Sequence, residues 1–251
     1  VCCELTHLAT LYHDDVMDDA VLRRGVISAN KKWNNAVAIL TGDYLFSKVS
    51  DMLADIGPDA VKLQAKTFER LVIGQIKETQ GKSDGLSQID HYMKVVADKT
   101  GSLIATSARF GALLSGASPQ VVECLTQFGE KVGVAFQVAD DLLDVASDET
   151  ASGKTPGTDL KEGIPTLVTL SVIAENDPAD KELISRLVKP INDEDLPQVI
   201  QELRTHKVME KVKAYLGKIA TEANDLLIDL PECAAKDALK NLTFALVSRS
   251  T

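Results

Sequence analysis

We expect an all-α fold, and three features of the sequence favour it. Only 4% of the 251 residues are aromatic, whereas Ala, Leu, Lys and Glu are plentiful, and this balance favours helices over a β-sandwich or barrel. Apolar residues recur at spacings of three and four, as on the buried face of a helix. Glycine and proline separate these segments, where helices end. A chain of this length has room for one large core, so residues 1–251 are expected to form a single domain.

The N-terminal half predicts long helices that stop at glycine or proline. The apolar residues from Leu5 to Tyr12 recur at helical spacing and lead into the acidic stretch 13–19. A polar loop is expected over residues 23–35. Two more helices are expected, over 36–56 before Gly57-Pro58 and over 59–80 before Gly81.

The later helices begin at capping residues. Ser87 is suited to cap a helix that reaches residue 114, and Gly101 predicts a kink within it. Ser118 and Pro119 supply a cap and a first-turn proline for a helix that extends to about Val145. Shorter helices are expected over 165–175, 179–187 and 194–204, with longer ones up to residue 248.

Charge and composition exclude several classes of protein. A net charge of -10 opposes binding to nucleic acid or to an anionic membrane surface. Stable membrane insertion is not expected, because no apolar run approaches the roughly 18 to 20 residues of a membrane span. The four cysteines show neither a C-x-x-C spacing nor the density of a secreted disulfide scaffold, and we therefore expect reduced thiols and a cytoplasmic protein.

The motif D-D-x-x-D occurs twice. Its aspartates are Asp14, Asp15 and Asp18 in the first copy and Asp140, Asp141 and Asp144 in the second. On a helix, positions i and i+4 share a face and i+1 lies nearby, so each copy lines one patch with three carboxylates. Their mutual repulsion calls for cations, and Mg²⁺ prefers such oxygen ligands and bridges to substrate phosphates. Two patches of this kind, facing one another, would hold a diphosphate through shared Mg²⁺ ions.

A solvated helix end is the simpler interpretation of one such cluster, because runs of aspartate are common on surfaces. Both copies, however, follow apolar segments, from Leu5 to Tyr12 and from Val132 to Val138, which should bury the preceding helix. Aspartates at a helix C-terminus also oppose the helix dipole. This cost favours a functional reason for keeping them there.

Basic residues accompany both acidic motifs. Arg23 and Arg24 follow the first motif closely, Lys99 lies at the expected kink, and Lys154 follows the second motif. Each alone is compatible with an ordinary solvated side chain. Together with the acidic clusters, they supply the cations that a metal-bound diphosphate requires, since guanidinium groups bind phosphate through planar, often bidentate contacts.

At this point the sequence resembles the trans-prenyl diphosphate synthase family. The resemblance rests on five segments in family order: Asp14–Asp18 with Arg23-Arg24-Gly25, Thr41-Gly42-Asp43-Tyr44-Leu45, Lys99-Thr100-Gly101, Phe136-Gln137 before Asp140–Asp144, and Gly153-Lys154 with Gly157-Thr158-Asp159-Leu160. It implies an orthogonal bundle of antiparallel helices around a central cavity. It also implies elongation of an allylic diphosphate by condensation with isopentenyl diphosphate.

The resemblance implies roles for the motif residues. The six aspartates would bind Mg²⁺ ions that grip the allylic diphosphate. Four cations are assigned to the substrates: Arg23, Lys99 and Lys154 to the allylic diphosphate, and Arg24 to isopentenyl diphosphate. Thr100 and Gln137 would line the reacting centre. The expected catalytic residues are Asp14, Asp15, Lys99, Thr100, Gln137 and Asp140.

Product length is expected to depend on the helix turn that precedes the first motif. Thr10 and Ala9 lie four and five residues before Asp14, about one turn away. Bulky aromatic residues at these positions block the growing chain in the family. The small residues here therefore predict a product longer than farnesyl diphosphate, of about thirty to fifty carbons, since each turn adds about 5.4 Å to a tunnel.

Two further expectations follow from the resemblance. The family has an earlier Gly-Gly-Lys segment that binds isopentenyl diphosphate, and no counterpart precedes Val1, so we expect this sequence to lack its N-terminal helices. The family also forms dimers, and the apolar stretch 36–46 is a candidate homodimer interface.

Three alternatives remain open from the sequence, and the simplest is a helical binding or scaffold protein with incidental acidic clusters. A class I terpene cyclase also ionises a prenyl diphosphate with Mg²⁺, but it carries a different second metal motif and an aromatic pocket, whereas aromatic residues are scarce here. A noncatalytic partner subunit of a synthase would be free to lose its aspartates, and all six are present.

Overall fold

The computed structural model describes residues 1–82, 85–146 and 156–249, with the backbone alone at 249. Within these residues the chain is almost entirely helical, which confirms the all-α prediction. It divides into two compact units, Val1–Glu69 and Arg70–Thr251. That residues 1–251 form a single domain stays a prediction.

The first unit contains three long helical segments and a small hairpin. Its elements are α1 (Cys2–Met17), β1 (Leu22–Arg23), β2 (Val26–Ile27), α2 (Ala29–Lys32), α3 (Asn35–Ile56) and the first part of α4 (Pro58–Gln80). The predicted ends of α3 and α4 are confirmed. Gly57 terminates α3, and its amide donates to the Leu53 carbonyl.

The expected loop over 23–35 was wrong in part. Strands β1 and β2 pair antiparallel within it, with Leu22 opposite Ile27, and α2 follows. The two turn residues, Arg24 and Gly25, have φ angles of 51° and 79°, the left-handed conformation that tight hairpin turns require. Strands of two residues are too short to show an alternating pattern, and only Gly25 signalled the turn.

Helices α1 and α3 cross closely at Gly42. A Cβ atom at this position would lie 2.3 Å from His13 Nε2 and 3.0 Å from the Ala9 carbonyl oxygen. Glycine is therefore required for the two backbones to approach this far. The contact fixes the helix that carries the first acidic motif, and Ala9 lies in it, fully buried.

The second unit is a larger helical assembly that begins with the remainder of α4. Its further elements are α5 (Gln88–Val96), a π-helical turn (Ala97–Gly101), α6 (Ser102–Leu114), α7 (Pro119–Ala146), α8 (Thr158–Glu162), α9 (Leu167–Glu175), α10 (Lys181–Leu187), α11 (Leu196–Thr205), α12 (Lys207–Leu226) and α13 (Ala234–Arg249). As predicted, Ser87 caps α5 by accepting a hydrogen bond from the Asp90 amide. No helix among the described residues combines the length and the apolar character that a membrane span needs.

Helix α7 is central to the core of the second unit. Val138, Leu142 and Val145 on its buried face are almost completely shielded from solvent. Two glycines let α7 approach its neighbours: a Cβ at Gly133 would lie 2.6 Å from the Gly101 Cα, and one at Gly129 would lie 2.8 Å from the Ala105 Cα. The buried face thus holds α7 firmly while its last turns present the second acidic motif.

The kink expected at Gly101 is a π-helical turn. Residues 97–101 form it without breaking the helix between α5 and α6. Single π-turns within α-helices are frequent at functional sites. This one carries Lys99 and Thr100, two of the residues singled out from the sequence.

Candidate functional site

The first acidic cluster forms at the C-terminal end of α1. Asp14 and Asp15 lie on the last turn, and Asp18 is the C-terminal cap. Asp15 is buried, and its Oδ1 accepts hydrogen bonds from Arg23 Nε at 2.7 Å and Nη2 at 2.6 Å. Asn30 donates to the Asp15 carbonyl at 3.0 Å. The hairpin and α2 therefore hold the predicted Asp15 and Arg23 together.

A groove of about 780 Å³ lies beside this cluster, within the first unit. Apolar residues of α1 and of the hairpin line it together with the cations Arg23, Arg24 and Lys32. Arg24 is exposed at the tip of the hairpin. The groove thus combines an apolar wall with positive charge, which suits a ligand that has a hydrocarbon part and a phosphate part.

The two residues predicted to set product length differ in their surroundings. Ala9 is fully buried in the contact between α1 and α3. Thr10 is half-buried, and its hydroxyl donates to the His7 carbonyl at 2.8 Å. Thr10 is therefore the position that accepts a larger side chain with less disturbance of the helix crossing.

The second acidic cluster occupies the last turns of α7. Asp141 is buried, and its Oδ2 accepts hydrogen bonds from the Tyr92 hydroxyl at 2.5 Å and the Leu167 amide at 2.7 Å. Burial disfavours the charged form and raises the pKa of Asp141 to about 6. Burial and the nearby Asp141 charge also raise the pKa of Tyr92 well above its usual value. These donors hold the Asp141 carboxyl in one orientation.

Asp144 connects this cluster to α8. Its carboxylate accepts hydrogen bonds from the Thr158 amide at 3.1 Å and the Asp159 amide at 3.3 Å, so it serves the N-terminus of that helix. Burial, followed by the charges of Asp144, Asp141 and Asp140, raises the pKa of Asp159 to about 7. Asp159 thus adds a carboxyl to the second cluster. Asp159 belongs to a motif segment of the sequence, but it lies fifteen residues beyond Asp144, so its place in this cluster has no local signal.

Two residues predicted at the reacting centre do meet. The Thr100 hydroxyl donates to Gln137 Oε1 at 3.3 Å, and Gln137 Nε2 donates to Asp141 Oδ1 at 3.3 Å. The π-turn is what places Thr100 against α7. The side chains thereby form a continuous path from the turn to the acidic motif.

Of the two predicted phosphate-binding lysines, the structure describes Lys99. Lys99, on the π-turn, donates to Glu78 Oε2 of α4 at 2.6 Å. Lys154 lies outside the described residues. Next to Lys99, the buried Asp98 accepts hydrogen bonds from Arg70 Nε at 2.8 Å and Lys77 Nζ at 2.9 Å. Charged side chains of α4 therefore contact the turn.

We expect Asp98 to contribute stability that disappears in acid. Burial opposes its ionisation, but hydrogen bonds from Lys77 and Arg70 outweigh burial and hold its pKa below the usual range. Its contribution is complete above the unfolded-state pKa, about 4, and is lost as the pH falls through the lower folded-state pKa. Denaturant unfolding should show Asp98→Asn to be less stable than wild type by about 1–3 kcal/mol near neutral pH, with the difference shrinking below about pH 4.

The surface pair of Lys161 and Asp193 provides a control for this prediction. Their side chains are 54% and 76% exposed although the atoms lie 2.6 Å apart, and exposed pairs contribute about 0–1 kcal/mol. Asp193→Asn should therefore change the unfolding free energy little at any pH. A difference between Asp98→Asn and wild type that is independent of pH would contradict the ion-pair explanation.

The two clusters present carboxylate oxygens, which are hard ligands for divalent metal ions. Among the residues that the structure describes, no three His, Cys, Asp or Glu side chains come close enough together to hold a metal ion. Mg²⁺ commonly binds one or two carboxylates and takes its remaining ligands from water and substrate phosphates. Asp14 and Asp18, spaced i and i+4 at a helix end, provide such an open set.

The polyprenyl synthetase family model matches residues 1–204 of the chain. Nonaprenyl diphosphate synthase from Mycobacterium tuberculosis is 45% identical over 247 residues, which span 98% of this chain and 74% of that protein. Heptaprenyl diphosphate synthase component 2 from Geobacillus stearothermophilus is 35% identical over 250 residues, 99% of this chain and 78% of that protein.

Solved structures agree with these sequence matches. Geranylgeranyl pyrophosphate synthase from Corynebacterium glutamicum, complexed with calcium and isoprenyl diphosphate, superposes with a TM-score of 0.86 at 40% identity, covering 99% of this chain and 76% of that one. Polyprenyl synthase from Caulobacter crescentus, also complexed with calcium and isoprenyl diphosphate, gives a TM-score of 0.89 at 30% identity, covering 100% and 77%.

These matches confirm the predicted all-α isoprenoid synthase fold and the predicted enzyme class, a polyprenyl diphosphate synthase. The two aspartate motifs, with Arg23-Arg24, Lys99-Thr100 and Gln137 nearby in the sequence, first indicated this class. The chain therefore belongs to the polyprenyl synthetase family.

Proposed function

We propose that this chain condenses an allylic diphosphate with isopentenyl diphosphate and releases an all-trans polyprenyl diphosphate longer than farnesyl. The observation that carries the proposal is the pair of D-D-x-x-D clusters. Each lies at the C-terminal end of a helix fixed by buried contacts. The family match supports the same chemistry.

The six aspartates would act together under this proposal. Asp14, Asp15 and Asp18 in the first cluster, with Asp140, Asp141 and Asp144 in the second, would hold divalent metal, which we propose is Mg²⁺. The bound metal would neutralise negative charge on the departing diphosphate. Asp15 and Asp141 also accept hydrogen bonds from protein donors, Arg23 and Tyr92 among them, and these contacts would orient each cluster.

Cations near each cluster would complete the binding of the substrates. Arg23 and Lys99, together with Lys154, would bind the allylic diphosphate, and Arg24 at the hairpin tip would bind isopentenyl diphosphate. Guanidinium groups suit this task because their fixed fork matches phosphate oxygens. Lys99 would exchange its contact with Glu78 for one with phosphate.

The reaction breaks the allylic carbon–oxygen bond, and the bonding electrons leave with the diphosphate. The double bond of isopentenyl diphosphate then attacks the allylic carbon, and a new carbon–carbon bond forms. Loss of a proton restores a double bond. Thr100 and Gln137 would stabilise the allylic cation through their oxygen atoms, which lie 3.3 Å apart in the structure.

We propose that the active form is a homodimer. Leu40 and Tyr44 of α3 are 66% and 60% exposed, and this apolar surface supports the candidate interface predicted over 36–46. The similarity to a protein named heptaprenyl diphosphate synthase component 2 favours one alternative, a chain that acts only with a second polypeptide. Elongation by the purified chain alone would support the homodimer and contradict the alternative.

The proposal is tested by sizing the products made from farnesyl diphosphate, labelled isopentenyl diphosphate and Mg²⁺. We expect metal-dependent products longer than the primer, and Thr10→Phe should shorten them because a bulky ring would narrow the space beside α1. Thr221→Phe is the matched control, since Thr221 is an exposed helical threonine and should leave product length unchanged. No elongation by the wild-type chain would contradict the function, and an unchanged product with Thr10→Phe would contradict the length rule.

A further inference from the structure

One face of α4 contacts the π-turn. Arg70, Gly74, Lys77 and Glu78 occupy positions i, i+4, i+7 and i+8, which align along one stripe of a helix. Each of the four contacts residues 97–99. The stripe therefore acts on the segment that carries Lys99 and Thr100.

Arg70 makes the widest set of contacts in this stripe. Its guanidinium donates to Asp98 Oδ1 at 2.8 Å and to the Ala97 carbonyl at 3.3 Å. It also donates to both carboxylate oxygens of Glu130 on α7, at 2.5 Å and 3.3 Å. The hydrogen bonds with Glu130 are the largest cause of its raised pKa. One side chain thus joins α4, the π-turn and α7.

The neighbouring residues hold the same turn from the same side. Lys77 binds the second oxygen of Asp98 at 2.9 Å. A Cβ at Gly74 would lie 2.8 Å from the Lys99 amide nitrogen, so the backbone of the turn rests directly on α4. At the end of the turn, Gly101 meets Gly133 of α7. The turn therefore packs against both α4 and α7.

We propose that Arg70 is a positioning residue for catalysis: it fixes the π-turn so that Lys99 and Thr100 stand where the allylic substrate requires them. This inference rests on the function proposed above. A fork of several N–H donors is needed, because three different acceptors lie around the guanidinium. A lysine at this position has a single donor group and would serve them only in part.

A purely structural ion pair would have different consequences. It would change the stability of the fold and leave the kinetic constants of the folded fraction unaltered. Arg186 supplies the matched comparison, because it pairs with Glu202 at 2.5 Å in the same unit, on α10 and α11. Its side chain makes no recorded contact with the π-turn among the described residues.

The test compares Arg70→Met, Arg70→Lys and Arg186→Met for thermal unfolding and for elongation kinetics. We expect Arg70→Met to lower kcat/KM for the allylic primer roughly 10- to 100-fold, as a small misplacement of reacting groups does, with KM for isopentenyl diphosphate unchanged. Arg70→Lys should recover part of the loss. Arg186→Met should lower Tm comparably and leave kcat/KM within about twofold.

A double-mutant cycle with Lys99→Ala locates the effect. If Arg70 acts through the turn, Arg70→Met should lower kcat/KM by a smaller factor in the Lys99→Ala background than in wild type, because part of its effect acts through Lys99. Independent, multiplying losses would overturn the proposal. So would an activity loss in Arg70→Met that only matches its unfolded fraction.

Amide hydrogen exchange separates this inference from the proposed function. Exchange over residues 97–102 should rise in Arg70→Met and not in Arg186→Met. If the wild type fails to elongate but this selective loosening is seen, the proposed function fails and the hold of Arg70 on the turn stands. If exchange in the turn is unchanged, the Arg70 proposal fails whatever the activity.

Discussion

Asp14→Asn and Asp140→Asn should each lower kcat/KM for elongation by roughly a thousandfold or more. Asparagine preserves the size of the side chain but removes the charge that a hard divalent ion requires. Loss of about 4 kcal/mol of stabilisation of the departing diphosphate corresponds to that factor. Both residues are half-buried, so the fold should survive, and circular dichroism would verify this. Initial rates measured over a range of primer concentrations, at saturating isopentenyl diphosphate, provide kcat/KM.

Asp19→Asn is the matched control for the first cluster. Asp19 directly follows the motif and is 78% exposed, with Lys31 2.6 Å from its carboxylate. Its loss should leave kcat/KM within about twofold, because exposed pairs contribute little. If Asp14→Asn and Asp19→Asn were equally active, the first cluster would not bind the catalytic metal. If Asp140→Asn kept wild-type activity, the second cluster would lose the same role.

Gly133→Ala should destabilise the protein by about 2–3 kcal/mol, the cost of overpacking a tightly packed site. The new methyl group would lie 2.6 Å from the Gly101 Cα. Because that neighbour is backbone, no side-chain rotation can relieve the clash, and α7 must move away from the π-turn. Elongation should fall as well, since Thr100 and Gln137 lie on the two sides of this contact. Denaturant unfolding with a constant m-value would measure the loss.

Gly111 offers the opposite case in a helix of the same unit. A Cβ at this position of α6 meets nothing within 4 Å, so Gly111→Ala should keep or raise the unfolding free energy by up to about 1 kcal/mol, through helix propensity. Equal stability of the Gly133→Ala and Gly111→Ala proteins would mean that α7 can move away from the π-turn without loss of unfolding free energy.

The sequence predicts the helical segments well because their ends are marked locally. Proline at 119 begins α7, and Gly57 and Gly81 follow the last residues of α3 and α4. The two aspartate motifs are predictable in the same way, because residues four positions apart lie on the same face of an α-helix. These signals depend only on neighbours along the chain.

The long-range contacts that organise the site cannot be predicted from local sequence patterns. Arg70 meets Glu130 across 60 residues, and Asp159 joins the second motif from a position 15 residues beyond Asp144. Neither has a local pattern that distinguishes it from a solvated charge. The sequence marks Gly101 as a break in a helix. It does not show that α7 approaches the backbone there, because that contact involves residues distant in the chain.

The π-turn also fixes the helical phase of everything that follows it. A turn of this type holds one residue more than an α-helical turn, and each residue advances a helix by about 100°. Deleting a single residue between Ala97 and Gly101 would restore a regular helix and rotate α6 by that angle, turning Ala105 away from Gly129. The extra residue therefore sets the rotation of α6 about its own axis, and a change of length within residues 97–101 would alter that rotation.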